Sequence, residues 1–251
     1  MDAKSPKPKR NIACDECPLV CSGDFRAFSD AELRFVSTFK RGELVSDAGS
    51  TILVEGTHSP HLYTVLSGWG FRYKTLEDGR RQILNYVLPG DFIGVQGSLL
   101  SEMHHSVEAL SDMILCVFER SRLFELYEKH PELGFDITWL AAREEQMLDE
   151  HLLSVGRRSA AERAAYLLAF LNERAESVAL FSRGNRIAPL TQQHVADTLG
   201  LSLVHTNKTL RKLTSQNAIA WLDSGFEIKD IDVLKQIAGW DGLPEVARPF
   251  I

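Results

Sequence analysis

The sequence predicts an α+β protein with an N-terminal antiparallel β-roll, a long helix and a C-terminal winged helix-turn-helix. Three observations predict this fold class. Short β-rich runs alternate with glycine-bearing turns between residues 51 and 118. Apolar residues then recur every three or four positions from Pro131 to Val155. Finally, two short capped helices separated by a glycine precede a predicted hairpin.

Composition is that of an ordinary globular protein. The chain has 251 residues, of which 44% are hydrophobic and 25% charged, and this length suits two modest domains. No apolar run reaches the roughly 18 to 20 residues of a membrane span, and the basic N-terminus has no apolar segment behind it. We therefore expect a cytoplasmic protein with no membrane partner. The net charge is −6, but the acidic excess lies in residues 1–155.

The predicted N-terminal half consists of a cysteine-bearing segment, residues 1–24, and a β-roll sensor domain, residues 25–130. Ser29 is the predicted N-cap of a short helix that opens this domain. Many short strands at nearly regular spacing indicate a sandwich, roll or barrel. The predicted strands are Thr51–Val54, Leu62–Leu66, Phe71–Tyr73, Gln82–Val87, Ser106–Leu110 and Met113–Phe118.

A long helix is predicted over residues 131–156. Proline is favourable in the first helical turn, and the apolar stripe is long for a helix on a small domain. We therefore predict a dimerisation helix, and the alternative is an ordinary helix that packs on the β-domain. The predicted interface residues are Ile137, Leu140, Met147 and Leu148.

The segment after residue 156 predicts a winged-helix domain over residues 157–232, followed by a tail over 233–251. Ser159 opens a helix with a capping box, and Thr191 and Ser202 are the predicted N-caps of two further short helices around Gly200. A hairpin follows around the turn Asp223-Ser224-Gly225. The predicted buried face of the second short helix comprises Thr206, Leu210 and Leu213.

The outward face of that helix predicts a double-stranded DNA partner, against the alternative of a plain helical hairpin with a solvated face. Asn207 suits adenine, Lys208 suits a guanine edge or a phosphate, and Arg211 suits a phosphate. The predicted DNA-binding residues are Thr191, Ser202, Val204, His205, Asn207, Lys208 and Arg211.

The cysteines predict metal or redox chemistry. Three of the four, Cys14, Cys17 and Cys21, lie within eight residues, which is not a distributed disulfide framework. With Cys116 they supply the four thiolates of an iron–sulfur cubane. A structural zinc site, a thiol–disulfide switch, and Cys116 as a buried apolar residue remain alternatives.

Over nearly its whole length the chain resembles the CRP/FNR superfamily of bacterial transcription regulators. The resemblance is carried by Pro89-Gly-Asp-Phe-Ile-Gly94 in the β-roll, by Ser159-Ala-Ala-Glu-Arg163 after the long helix, and by Leu199-Gly-Leu-Ser202 in the helix-turn-helix. It implies a cyclic-nucleotide-binding-like β-roll, homodimers on pseudo-palindromic sites, and contact with RNA polymerase if the protein is an activator. It also implies that the chain is not an enzyme.

Two departures from the family pattern narrow these expectations. Members that bind cyclic nucleotides have an Arg-Ser or Arg-Thr pair after the Gly-Asp-Phe-Ile-Gly turn, whereas Val95–Ser106 contains His104 and His105 but no arginine. A neutral histidine lacks the bidentate positive charge that holds the phosphate, so no cyclic nucleotide is expected. FNR-like members present Glu and Ser-Arg where this chain has Val204 and Asn207-Lys208, so we expect a different operator.

In FNR-like oxygen sensors, an N-terminal cysteine trio joins one cysteine late in the β-roll. The resemblance implies that Cys14, Cys17, Cys21 and Cys116 hold a [4Fe–4S] cluster whose oxidative loss loosens the dimer. The second gap of three residues is shorter than is usual in the family. The alternative function is a cofactorless regulator of the same type, controlled by thiol redox state or by expression level.

A metal enzyme on a cupin-like barrel is a remote third possibility. Such an enzyme needs a His-x-His pair whose side chains converge on the metal, and residues 51–118 contain no such pair. No phosphate-binding loop, nucleophile elbow or HExxH motif occurs in the sequence either.

Overall fold

The computed structural model describes residues 12–23, 25–181, 186–243 and 248–251. Its N-terminal domain is an antiparallel β-roll with strands β1 (Lys40–Ser46), β2 (Thr51–Leu53), β3 (His61–Ser67), β4 (Gly70–Thr75), β5 (Arg81–Val87), β6 (Phe92–Ile93), β7 (Ser106–Ala109) and β8 (Met113–Glu119). One sheet has the order β1-β8-β3-β6, and the sheet that faces it has the order β2-β7-β4-β5. Val65 and Leu115 of the first sheet pack with Val107 of the second in the interior of the roll.

Helices flank the roll and form most of the C-terminal half. They are α1 (Pro18–Ser22), α2 (Asp30–Phe39), α3 (Val95–Leu99), α4 (Leu123–Lys129), α5 (Pro131–Arg157), α6 (Ala160–Glu176), α7 (Gln192–Leu199), α8 (Leu203–Ser215) and α9 (Ile231–Ala238). Strands β9 (Ile219–Leu222) and β10 (Gly225–Ile228) pair antiparallel and form the wing. The predicted fold class of β-roll, long helix and winged helix-turn-helix is confirmed.

Local sequence explains where several helices begin. Ser29 and Ser159 are N-caps, and each makes a reciprocal capping box with the glutamate three residues later. These side chains satisfy backbone N–H groups that have no partner inside the helix. Between α5 and α6 the capped start at Ser159 lets the chain change direction at Arg158.

One hydrophobic core joins the two halves of the chain. Phe71 and Tyr86 of the β-roll pack in the same buried cluster as Phe170 of α6, Val195 of α7 and Phe226 of the wing. Polar contacts also join the β-roll to α7. The Tyr86 hydroxyl lies 2.8 Å from Thr198 Oγ1, and Arg81 forms an ion pair with Asp197 at 2.9 Å. The helix-turn-helix is therefore packed against the β-roll, with β5 in contact with α7.

Gly225 marks a position where the wing passes very close to the chain before α7. Its φ is +139°, and a Cβ there would lie 2.0 Å from the carbonyl oxygen of Ala188. Ala188 also exchanges backbone hydrogen bonds with Phe226 in both directions, at 2.9 and 3.1 Å. A side chain at residue 225 would therefore separate the wing from this segment.

The structure differs from the predictions at helix α9 and at strand β1. The predicted tail from residue 233 onwards cuts through α9, whose Leu234 and Ala238 are buried against α6. Asp230 caps this helix and Gly239 ends it, so the sequence contained the signal. Strand β1 was not predicted, because its charged residues and Gly42 obscure the alternation of apolar positions.

Candidate functional site

The outward face of α8 is a cationic surface. We use this name for Val204, His205, Lys208, Arg211, Lys212 and Ser215, all of which are exposed. Val204 is 80% exposed, although it is an apolar residue. Opposite this face, Thr206, Leu210 and Leu213 are buried, as predicted. The three cations form no ion pair with another residue that the structure describes, and their charges face solvent.

Asn207, which was predicted to point outwards, lies at the edge of this outward face. The residue is half-buried, and its Oδ1 atom is buried without a hydrogen-bond partner among the described residues. In a helix with 3.6 residues per turn, residue 207 lies about 60° around the axis from buried Leu210 and about 40° from exposed Arg211, so it stands between the two faces. A bidentate contact between Asn207 and adenine would require this side chain to turn outwards.

Thr191 and Ser202 serve first as helix caps. The Thr191 hydroxyl accepts a hydrogen bond from the His194 amide at 3.2 Å, and the Ser202 hydroxyl accepts one from the His205 amide at 3.3 Å. Both residues remain exposed at the N-terminal ends of α7 and α8. Because amide groups at a helix N-terminus favour anions, these ends suit phosphate groups.

Sequence reasoning missed part of the outward face. Lys212 and Ser215 lie one turn beyond Lys208 and Arg211, on the same side of α8. Together with the start of α6 at Ser159–Ala161, they line a concave surface below the helix. The four-residue spacing from Lys208 to Lys212 was the available signal.

None of the four residues predicted for the dimer interface on α5 is fully exposed. Ile137 and Met147 are buried within their own chain, and Leu140 and Leu148 are half-buried beside a cavity of about 600 Å³ between α5 and the β-roll. The apolar side chains that α5 leaves exposed are instead Phe135, Leu152 and Leu153. Phe135 is 65% and Leu152 is 74% exposed. These residues are the apolar part of α5 that is open to a partner helix.

Part of Val95–Ser106 lines the cavity between α5 and the β-roll. This is the stretch in which family members that bind cyclic nucleotides have an Arg-Ser or Arg-Thr pair. His105 lies in the wall of this cavity, and burial together with the charge of Arg72 lowers the pKa of His105 to about 3. The ring is therefore neutral near pH 7. The guanidinium of Arg72 pairs with Glu144 of α5 at 2.5 Å. That no cyclic nucleotide binds here stays a prediction.

Three of the four cysteines meet at one place, which we call the cysteine cavity. Cys14, Cys17 and Cys116 line it together with Phe250 and Ile251, and its volume is about 20 Å³. Cys21 lies outside this group and is exposed, with its Sγ atom 3.8 Å from the backbone oxygen of Asp15. The fold therefore brings Cys116 of β8 to the segment that carries the N-terminal cysteines.

The cysteine cavity supplies the thiol donors that an iron–sulfur cluster needs, but it is too small to hold one. Burial raises the pKa of Cys17, and it raises that of Cys116 to about 12, so both thiols are protonated in this arrangement. Within the described residues, no group of three or more His, Cys, Asp or Glu side chains is arranged to hold a metal ion. A volume of about 20 Å³ accommodates about one water molecule. Four irons and four sulfides need more room than this.

Comparisons with protein families agree with both halves of the fold. Residues 43–130 match the model of the cyclic nucleotide-binding domain, and residues 162–237 match the Crp-like helix-turn-helix domain. The nitrogen fixation regulation protein FixK of Bradyrhizobium diazoefficiens is 34% identical over 219 residues, which cover 86% of this chain and 90% of FixK. This chain belongs to the CRP/FNR family.

Other relatives of this CRP/FNR regulator are also regulators of transcription. The transcriptional activator protein FnrL of Cereibacter sphaeroides is 29% identical over 82% of the chain and 84% of FnrL. The solved structure of FixK2 from Bradyrhizobium japonicum superposes with a TM-score of 0.68 at 25% identity, over 78% of this chain and 96% of that one. The chain is a DNA-binding transcription regulator and not an enzyme, which removes the cupin-like alternative. None of the helices in the described part of the chain is long and apolar enough to span a membrane.

Proposed function

We propose that this regulator binds operator DNA as a homodimer in the cytoplasm and senses redox state through its cysteines. The observation that carries the proposal is the meeting of Cys14 and Cys17 with Cys116 at one cavity, across about a hundred residues of sequence. A structural role for the thiols alone does not require three of them to converge. Thiolates are the ligands of iron–sulfur clusters.

DNA binding through the outward face of α8 is supported by its shape and charge. Lys208, Arg211 and Lys212 present three cations on one side of a helix whose N-terminal residues are exposed. An α-helix of this kind fits the major groove, where its N-terminal residues meet base edges and its cations meet phosphates. Val204 offers an apolar contact for a thymine methyl group.

A homodimer is supported by the apolar residues that α5 leaves exposed. Phe135, Leu152 and Leu153 lie near the two ends of a 27-residue helix, and each exposes a large side chain to solvent. Pairing two copies of α5 would cover these side chains. Because FnrL is named a transcriptional activator, we include RNA polymerase among the partners of this regulator.

For the sensor we propose a [4Fe–4S] cluster on Cys14, Cys17, Cys21 and Cys116, whose binding would require the cysteine cavity to widen from about 20 Å³ and Cys21 to join the other three thiols. Its test is anaerobic purification followed by iron and sulfide analysis and an absorption spectrum. We expect about four irons and four sulfides per chain, with bleaching in air and weaker DNA binding after bleaching. Cys116→Ala should abolish cluster retention, whereas the control Ile114→Val on the same strand should cost about 1 kcal/mol of stability and retain iron.

A second candidate is control by thiol oxidation without a cofactor. The exposed thiol of Cys21 favours it, because solvent access allows an oxidant to reach the sulfur. Protein that stays colourless and iron-free after reconstitution, yet binds its DNA, would select this candidate. Hydrogen peroxide, which oxidises a single thiolate to sulfenic acid and is itself reduced to hydroxide, should then change DNA affinity in the wild type but not in Cys21→Ser, and mass spectrometry should detect the sulfenic acid of Cys21.

A further inference from the structure

A further cavity of the β-roll domain lies beside α4, and we call it the α4 cavity. Its volume is about 770 Å³, within the range of roughly 300 to 1,000 Å³ that is usual for the binding sites of small molecules. The described residues that line it come from β1, β3, β8, α3, α4 and the loops next to them. It is therefore separate from the DNA-binding helices and from the cysteine cavity, and the proposed function leaves it unused.

Part of the wall of the α4 cavity is apolar and exposed. Phe124 is 78% exposed and Leu99 is 67% exposed, and the exposed ring of Tyr127 lines the same cavity. Leu123, next to Phe124, is buried in a core of the roll and holds α4 in place. A ligand that covered Phe124 and Leu99 would remove their apolar surface from water, which favours binding.

The wall of the α4 cavity also contains a cation that no described carboxylate neutralises. Arg41 and Glu119 form an ion pair in this wall, and the hydrogen bonds from Arg41 lower the pKa of Glu119. The guanidinium of Arg120 instead donates from Nη1 to the carbonyl oxygen of Ser59 at 3.1 Å, and it forms no ion pair with a described residue. Its remaining N–H groups can hold a carboxylate, whose geometry matches the guanidinium fork.

Two residues of the same wall carry polar atoms that lack a partner. The Nδ1 atom of His61 and the Oγ atom of Ser98 are buried and form no hydrogen bond within the part of the chain that the structure describes. Both residues line the α4 cavity. Buried polar atoms without a partner are rare in folded proteins, so either their surroundings rearrange or a molecule from outside the chain satisfies them.

We propose that the α4 cavity binds a small carboxylate with an apolar chain, such as a medium-chain fatty acid. The carboxylate pairs with Arg120, and the chain covers Phe124 and Leu99. Among the described arginines of the wall, Arg120 is the one without a counter-charge, which suits a singly charged carboxylate. A phosphate group, whose charge is about −1.5 to −2 at pH 7, would need a second cation.

An occupant of the α4 cavity would also contact a residue that packs on the start of α5. Tyr127 lines the cavity, and its ring lies so close to the backbone of α5 that a Cβ at Gly134 would be 2.6 Å from Cδ1 of Tyr127. Gly134 belongs to the first turn of this helix. The ligand thus touches a ring that is itself in contact with the proposed dimerisation helix.

The test is isothermal titration calorimetry of the full chain with sodium octanoate, and octanamide serves as the uncharged analogue. We expect one octanoate per chain and at least about tenfold weaker binding of octanamide, because a charge-assisted hydrogen bond is lost. Arg120→Gln should bind octanoate about as weakly as the wild type binds octanamide. Phe124→Ala, at an exposed position that does not support the fold, should weaken the binding of both compounds by about fivefold.

Arg80→Gln and Leu76→Ala are the matched controls, because they remove an exposed arginine and an exposed apolar residue outside the α4 cavity. Both should bind octanoate like the wild type. A wild type that does not bind octanoate, or binding that either Arg120→Gln or Phe124→Ala leaves unchanged, would overturn the proposal. A diazirine analogue of octanoate should label residues 119–129. Labelling confined to residues 137–148, which line the cavity between α5 and the β-roll, would also overturn it.

Discussion

Arg174 of the DNA-binding domain donates two hydrogen bonds to the carboxylate of Asp91 in the β-roll, at 3.0 and 2.7 Å. Both side chains are almost completely buried. Burial by itself would raise the pKa of Asp91, but the charges of Arg174 and Arg248 outweigh it and hold this pKa below its ordinary value. This carboxylate, part of the Pro89–Gly94 motif, joins three separate parts of the chain.

Replacing Asp91 should therefore be costly. Asp91→Asn leaves the guanidinium groups of Arg174 and Arg248 buried without a compensating charge, and we expect a loss of about 3 to 5 kcal/mol of unfolding free energy. Asp78→Asn is the matched control: Asp78 pairs with Arg80 on the surface, where solvent screens the two charges, so its replacement should leave the unfolding free energy nearly unchanged. Urea unfolding measures both variants, and equal losses would contradict the role given to Asp91.

On the DNA-binding surface, we expect Lys208→Ala to weaken operator binding. If Lys208 contacts a base, affinity should fall by about 1 to 3 kcal/mol and preference should relax at one position of the operator. If Lys208 contacts only phosphate, affinity should fall on all sequences and the salt dependence should decrease by about one counterion. Lys74→Ala, on β4 and paired with Glu55, serves as the control. Fluorescence anisotropy at several salt concentrations distinguishes the outcomes, and unchanged affinity would exclude Lys208 from the interface.

The exposed side of α5 allows a sharper test of dimerisation than the predicted interface residues did. Leu152→Glu places a charge where a second copy would bring its own, at a cost of several kcal/mol to association, and light scattering should detect monomers. Met147→Glu would instead bury a charge inside the same chain and unfold it. Leu76→Glu, at an exposed site in the hairpin after β4, is the control. A dimeric Leu152→Glu protein would exclude this part of α5 from the interface.

His151 predicts a pH dependence of stability. Its Nε2 lies 3.2 Å from Asn85 Oδ1 and its Nδ1 lies 3.3 Å from the Tyr166 hydroxyl, while burial lowers its pKa to about 4. The unfolded chain takes up this proton near pH 6.5 and the folded chain only near pH 4, so stability falls as pH falls through that window. Between pH 7 and pH 5 the loss from His151 should be about 2 kcal/mol.

The matched measurement compares urea unfolding of wild type and His151→Gln at pH 7 and pH 5. Glutamine retains a hydrogen-bonding side chain but has no proton to gain, so the variant should lose less stability on acidification. His104→Gln, at an exposed position, should follow the wild type. Identical pH profiles for wild type and His151→Gln would refute the assignment.

Local patterns predicted the C-terminal half well. The capping residues Thr191 and Ser202 determine where α7 and α8 begin, and the burial of Thr206 and Leu210 follows from helical periodicity alone. Periodicity assigns Asn207 less sharply, because its position is close to the boundary between the two faces. At such positions the packing of the neighbouring elements decides which side the residue joins.

What the sequence could not supply is contact between distant segments. Nothing in the pattern of Phe250 or Ile251 indicates that these residues pack beside Cys116, since the apolar pair has no periodicity and its partners are far away in the chain. Likewise, Ile137 and Met147 have the spacing of an interhelical stripe, but the β-roll and α6 of the same chain bury them first. Periodicity shows which face is apolar and does not show what covers it.

The hydrophobic core that Phe71 and Tyr86 share with Phe170 and Val195 has a consequence for how the protein melts. Two domains with independent cores absorb heat in separate steps, whereas unfolding the C-terminal half of this chain would expose Phe71 and Tyr86 of the β-roll, so we expect the two halves to melt in a single calorimetric transition. A fragment that begins at residue 157 would expose Tyr166 and Phe170 of α6 to water, and an exposed apolar patch of this kind favours aggregation. The smallest fragment suitable for structural work on the DNA-binding helices therefore includes the β-roll.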